Sequence, residues 1–291
     1  MTGALAAHLA TGCTTVCRCW RIDRADGVWL GFTDHDRDLT FEGVVFRADT
    51  GMTARSLSQS TGLSVDNTEA LGILSDAAVT EADIAAGRYD GAEVRSWLVN
   101  WARPGVRELR FRGTLGEIVR GGGAFHAELR GLAEALNQPV GREYQPVCDA
   151  VLGDGACKVD LTAPGFRVEA DVAKVEGAVV SVENMGRPPG WFRHGRLEVL
   201  SGAAAGLSEM VREDGARGGL RHLGLWQALR ADLAPGDRVR LTAGCDRKEA
   251  TCRGKFDNFL NFRGFPHIPG EDWLAAVPRS GEANDGGRRD G

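Results

Sequence analysis

A chain of 291 residues with 43% hydrophobic content is long enough for two domains, each with a core of its own. Its formal net charge of −5 excludes a general nucleic-acid binder, which would carry a basic face. No apolar run reaches the length of about eighteen residues needed to span a bilayer, and the first twenty residues lack the basic start and apolar core of a secretory signal.

In chain order, residues 3–12 read as a short helix or arm. From Cys17 to Phe46 the pattern is strand, turn, strand: CRCWRIDR and VWLGFTD alternate around an Asp26-Gly27 turn, and LTFEGVVFRA gives a further hairpin with Glu42-Gly43 at its tip. TEADIAAG, residues 80–87, predicts a short helix with Thr80 as N-cap, Asp83 in the capping-box position and Gly87 as C-cap. EVRSWLVNW, RELRFRGTLGEIVR and AFHAELRGL read as strands, and residues 131–137 as a helical turn. Residues 166–243 are again β-rich, with Pro235-Gly236-Asp237 as a turn, and are long enough for a small inserted barrel or sandwich. The forty glycines are dispersed without a repeat, which suits many tight turns between short strands. The final stretch, SGEANDGGRRDG, is polar and Gly-rich and reads as a disordered tail.

Seven cysteines in a chain expected to stay in the cytoplasm read as thiols or metal ligands, and the odd number leaves at least one without a disulfide partner. Four of them form two distant pairs. Cys148 and Cys157 are spaced C-x8-C, and Cys245 and Cys252 are spaced C-x6-C, each pair in a Gly-rich, turn-forming segment. Four loop-borne sulfurs can surround one centre, so the pattern points to a structural zinc or an iron–sulfur cluster, with inert buried thiols as the alternative. Neither spacing chooses the metal. Lys158, Arg247, Lys248, Arg253 and Lys255 place positive charge beside the pairs, which would offset an anionic centre. Cys157 and Cys245 flank the β-rich insertion, so its two ends are expected to meet at a neck.

Other constellations have plainer readings. Cys13, Cys17 and Cys19 lack a nearby fourth ligand other than His8 or His35 and read as core or interface thiols. Asp34, His35, Asp36, Arg37 and Asp38 could bind a metal, but they read as a polar turn whose carboxylates cap backbone N–H groups. In KFDNFLNFRGFPHIPG, Phe256, Phe259, Phe262 and Phe265 recur every three residues, with Asn258 and Asn261 between them. This reads as an aromatic cover over a metal, with the amides bonding loop backbone; a binding groove is the other reading. His267, between two prolines, is a possible ligand or a structural histidine. No nucleophile elbow, P-loop, dinucleotide fingerprint or zincin helix is present, so no catalytic residue is assigned.

TTVCRCWRIDRADG, GFTDHDRDL, GRYDGAEV and GCDRKEATCRGKFDNFLNFRGFPHIPG resemble the tail hub proteins of gene transfer agents and related siphophages of alphaproteobacteria. The resemblance covers residues 10–275 or so and extends, more distantly, to the tail-tip protein L of phage lambda. It implies a non-enzymatic virion component: a homotrimeric hub or baseplate protein that adapts the tail tube and distal tail ring to the tip. The implied neighbours are the distal tail protein ring, a tail-tip or fibre-bearing protein, the tape measure and a tail-associated peptidase. DNA would pass through the lumen without specific binding. The resemblance also implies a 4Fe–4S cluster on Cys148, Cys157, Cys245 and Cys252, with zinc as the alternative. Localisation would be cytoplasmic during assembly and then at the tail tip. A tail-associated cell-wall hydrolase, a redox protein and a zinc-stapled binding module are the competing functions.

The expected fold class is mainly β with short helices, a β-rich α+β chain of barrel or sandwich domains with a metal-stapled insertion. The expected division is a hub domain at 1–145, a cluster-binding region at 146–165 and 244–279, an inserted β domain at 166–243 and a tail at 280–291.

Overall fold

A computed structural model describes residues 3–48, 53–54, 67–73, 80–121, 124–131 and 141–268. The expected helical turn at 131–137 and the tail at 280–291 fall almost wholly or wholly outside them.

Helix α1 (Gly3–Ala10) buries Leu5 and leads into β1 (Val16–Asp23) and β2 (Trp29–Thr33). The next hairpin joins β3 (Leu39–Phe41) to β4 (Val44–Arg47). Its loop holds Glu42 at φ 51° and Gly43 at φ 73°, the paired positive dihedrals of the tight turn that matches strand twist. Side chains along β1 point alternately to opposite faces. Trp20 and Ile22 join one core with Phe32, Val94 and Phe111, while Cys17 and Cys19 join another with Phe41, Phe46 and Trp97.

Helix α2 (Glu81–Ala85) starts where Thr80 Oγ1 accepts from Asp83 N at 3.1 Å, and it ends at Ala86 followed by Gly87 at φ 74°. The Asp83 carboxylate does not close a capping box. It pairs with Arg24 at 3.2 Å and Arg88 at 3.0 Å, because two guanidinium groups offer it stronger charge-assisted bonds than one backbone N–H. With β5 (Thr53–Ala54), β6 (Asn67–Ile73), β7 (Glu93–Asn100), β8 (Arg107–Gly121) and β9 (Ala124–Gly131), these strands form a nine-stranded sheet. The order is β3-β4-β2-β1-β7-β8-β9-β6-β5, antiparallel except where β2 meets β4.

The second body is a closed barrel of β10 (Arg167–Glu176), β11 (Val179–Glu183), β12 (Arg196–Val199), β13 (Ser208–Arg217), β14 (Leu220–Leu225) and β15 (Arg238–Thr242). Closure rests on two strands that change partner. β10 pairs with β15 through Asp171 and with β11 from Val172, with a register shift at Val172/Lys174. β13 does the same between β12 and β14, shifting at Val211/Glu213. Such bulges bend a strand enough to serve two neighbours. The interior holds Val180, Val182, Leu197, Leu223 and Leu241. It also holds a bidentate ion pair with both side chains at 0% exposure, in which Arg221 donates to Asp214 at 2.7 and 2.6 Å. Arg221 further donates to the carbonyls of Arg187 and Pro188, fixing the loop that carries Trp191.

The insertion's ends do meet, since Ala243 N donates to Phe166 O at 2.7 Å. Away from this neck, two guanidinium groups link sheet body to barrel among the described residues, Arg88 and the exposed Arg230, which pairs with Asp90 at 3.1 Å. Arg88 donates to the carbonyls of Ala205 at 2.6 Å and Ala203 at 2.7 Å, and pairs with Asp26 at 3.3 Å.

Candidate functional site

The loop from Cys148 to Cys157 is wound around Asp154. Its Oδ1 accepts from Cys157 N at 2.6 Å and Ala156 N at 2.9 Å, and its Oδ2 from Val151 N at 2.9 Å. The bonds from Cys157 N and Val151 N hold the Asp154 carboxyl below its ordinary value. Gly153 at φ 83° and Lys158 at φ 61° supply the left-handed turns.

The second segment crosses the neck after β15 and enters α3 (Glu249–Phe256), which carries Cys252 on its buried side. Asp257 ends the helix in a left-handed conformation at φ 47°, and Asn258 N donates back to Cys252 O at 3.0 Å. A 3₁₀ turn at Phe259–Asn261 follows. The two segments are tied directly where Cys148 N donates to Arg247 O at 2.9 Å.

This folding brings Cys148, Cys157, Cys245 and Cys252 to the wall of one cavity of about 440 Å³, closed on its apolar side by Leu152, Val159, Met210, Phe256 and Phe262. N–H groups point at the sulfurs. Arg247 N donates to Cys245 Sγ at 3.3 Å and Arg263 N to Cys148 Sγ at 3.4 Å, while Asn258 Nδ2 lies 3.7 Å from Cys157 Sγ. Burial raises the pKa of Cys245. Burial pushes Cys252 up to about 11, reinforced by the neighbouring Cys245, Cys148 and Cys157. Clustered thiols resist ionisation until a positive centre sits among them. Among the described residues, no three His, Cys, Asp or Glu side chains converge closely enough to hold a single metal ion. The geometry brings the four sulfurs to the wall of one chamber at the neck, the place where the metal staple is expected.

The other expected residues sort clearly. Phe256 and Phe262 line the chamber, so the aromatic cover is half made by them. Phe259 lies outside, stacked on Phe262 at 6.0 Å and under the Arg253 guanidinium at 4.0 Å, and Phe265 packs on Tyr144 at 4.6 Å. The Asn258 amide bonds loop backbone at Cys157 O, and the Asn261 amide donates to Asn258 Oδ1. His267 is exposed and does not line the chamber. Lys158, Arg247, Lys248 and Arg253 are exposed, whereas Lys255 is turned inward. It donates to Trp191 O at 2.5 Å and Gly244 O at 2.7 Å, and burial lowers its pKa. The acidic turn is a backbone cap, with Asp34 accepting from Arg18 N at 2.6 Å and Asp38 from Ala48 N at 2.8 Å. Cys13 is exposed; Cys17 and Cys19 are buried beside Thr33.

Sequence reasoning missed Lys255 as a strap, Asp154 as the loop's organiser and Arg88 as an inter-body link. An Asp between two glycines in a short Cys loop was the available signal for Asp154. Arg88 and Lys255 act across long sequence separations and carried no signal.

Residues 2–160 match the family model "Baseplate hub protein, N-terminal attachment domain", and residues 190–272 match "Phage conserved hypothetical protein BR0599". Among solved structures, a chain of the virion of a native gene transfer agent (GTA) particle is 56% identical. The match covers 98% of this chain and 99% of that one, with a TM-score of 0.89. Comparison with curated proteins gave no match.

Proposed function

The chain belongs to the baseplate hub proteins of phage-like tails, and we propose that it acts as a homotrimeric adaptor between the tail tube with its distal ring and the tail tip. The observation that carries this is the end-to-end likeness to a gene transfer agent virion chain, in both bodies and across the neck. A three-fold ring needs heterologous contacts between copies rather than self-complementary two-fold ones. The neighbours on this reading are the distal tail ring on one side and a tip or fibre-bearing protein on the other. The tape measure and a tail-associated peptidase would be met during assembly. A net charge of −5 suits a lumen through which DNA slides without sticking. The chain is assembled in the cytoplasm, turns over no substrate of its own, and leaves with the particle.

Cys148, Cys157, Cys245 and Cys252 would hold a 4Fe–4S cluster in the neck chamber. The four line one chamber and are met by N–H donors, a setting that suits metal-bound thiolates, whose sulfurs accept such bonds. When bound, the cluster supplies a covalent cross-link between the two loops. The chain's own residues orient the sulfurs and exclude water.

Imaging of whole particles tests the hub role: three copies at the tail tip are expected. Six copies in a ring, or absence from the tip, overturns it. A purified chain that cleaves peptidoglycan would replace it with an enzymatic role.

A further inference from the structure

Asn258 bonds to one cysteine of each pair. Its Nδ2 donates to Cys157 O at 2.6 Å and points toward Cys157 Sγ at 3.7 Å. Its backbone closes on Cys252 twice: Asn258 N donates to Cys252 O at 3.0 Å, and the Cys252 thiol donates to Asn258 O at 3.4 Å. The amide can sit only one way round. Asn261 Nδ2 donates to Asn258 Oδ1 at 2.7 Å, so a flipped amide would set oxygen against the Cys157 carbonyl and nitrogen against nitrogen. The left-handed Asp257 delivers the residue to this spot directly from the end of α3.

We propose that Asn258 is a positioning residue for the four-thiol chamber. It fixes Cys157 relative to Cys252 before any metal arrives, and it directs an amide N–H at the Cys157 sulfur, with Asn261 setting the direction. The spacing role stands on the apo geometry alone, while the sulfur-facing role rests on the cluster reading above. An N–H aimed at a cluster sulfur raises the reduction potential, since it stabilises the added electron.

The test uses full-length N258L and N261A, neither of which adds charge. In the apo protein, labelling by N-ethylmaleimide followed by mass spectrometry should be about fivefold faster at Cys157 in N258L, the effect of losing roughly one net hydrogen bond from the closed loop. Cys17 and Cys19 should stay protected, reporting an intact sheet. Unchanged labelling at Cys157 overturns the spacing role. In anaerobically reconstituted protein, the midpoint potential of N258L should lie below wild type, with N261A between them. Equal potentials at equal iron content overturn the sulfur-facing role. A wild-type chain that takes up no iron overturns the cluster reading and with it the sulfur-facing role, while the labelling arm still decides the spacing role. If N258L fails to fold, N261A carries both arms, with a smaller shift of the same sign expected and no shift counting against the proposal.

Discussion

The Lys255 ammonium sits 4.5 Å over the Trp191 ring and donates to the carbonyl oxygen of the same residue at 2.5 Å. Helix α3, which carries Cys252, is thereby strapped to the barrel loop that Arg221 and Asp214 hold from inside. Lys255→Met keeps the stem and removes the charge. It strands the Gly244 carbonyl and leaves the Trp191 carbonyl to the Gly244 N–H alone, at a cost of about 1–3 kcal/mol for a buried acceptor losing its donor. Hydrogen exchange should speed up across residues 244–262 and stay unchanged in β1 and β7. Uniform acceleration through the sheet would contradict the strap.

The link at Arg88 should respond to acid. Burial would push the Asp26 carboxyl up, but bonds from Arg24, Val28 N and Arg88 bring it below its ordinary 3.8. A carboxylate depressed in the folded state contributes its stability above the unfolded value and loses it as pH falls through the lower folded value. Exchange in residues 202–207 should therefore rise on acidification below pH 3.8, and Asp26→Asn should flatten that limb. Arg88→Ala should raise exchange there at every pH, since it removes the donors to Ala203 and Ala205.

Inside the barrel, Arg221→Met leaves Asp214 buried without its partner, which costs about 3–5 kcal/mol. Replacing both residues by apolar ones of similar volume should cost less than the single change, because the uncompensated charge is gone. Urea midpoints followed by tryptophan fluorescence give the comparison. A double variant weaker than Arg221→Met would mean that the bond Asp214 accepts from Phe192 N, lost only in the double variant, outweighs the cost of the buried charge.

Cys252→Ser in anaerobically produced protein should lose iron, and chelation of the wild type should open the neck to protease before the sheet. Loop closure of this length is worth about 4–5 kcal/mol by analogy with a disulfide. Iron per chain unchanged in Cys252→Ser would remove that residue from the ligand set, and zinc in place of iron would select the single-ion alternative.

Two glycines in one segment should behave oppositely. A Cβ on Gly244 would overlap the Arg193 carbonyl oxygen and Gly195 nitrogen, which are backbone atoms that cannot step aside. Gly244→Ala should therefore displace the neck crossing and lower the melting temperature. Gly254 sits in α3 with open space around it, so Gly254→Ala should gain about 1 kcal/mol from helix propensity. Differential scanning calorimetry of both variants checks the signs.

The strands were readable because Trp20 and Ile22 alternate with Cys17 and Cys19, and because Glu42-Gly43 and Asp26-Gly27 are local turn signals. The choice between barrel and sandwich was not readable. It turns on the shifts at Val172/Lys174 and Val211/Glu213, where one extra residue re-aims a strand and no residue type announces it. The cysteine pairs were legible from their loops, yet the strap from Lys255 reaches back 64 positions to Trp191. An interaction of that span has no periodicity to betray it. The aromatic run was half legible. Its spacing of three marked a turning path, but the end of α3 at Asp257 sends Phe256 inward and leaves the next turn exposed, with Leu260 98% exposed.

Because Phe166 and Ala243 stand within one hydrogen bond of each other, the barrel is attached as a cassette whose entry and exit share a single doorway. A module attached this way can change length at little entropic cost, since loop-closure cost depends only weakly on what lies between the hinges. A graft must present a carbonyl and an aromatic face where Trp191 now receives Lys255, and carbonyls where Ala203 and Ala205 now receive Arg88.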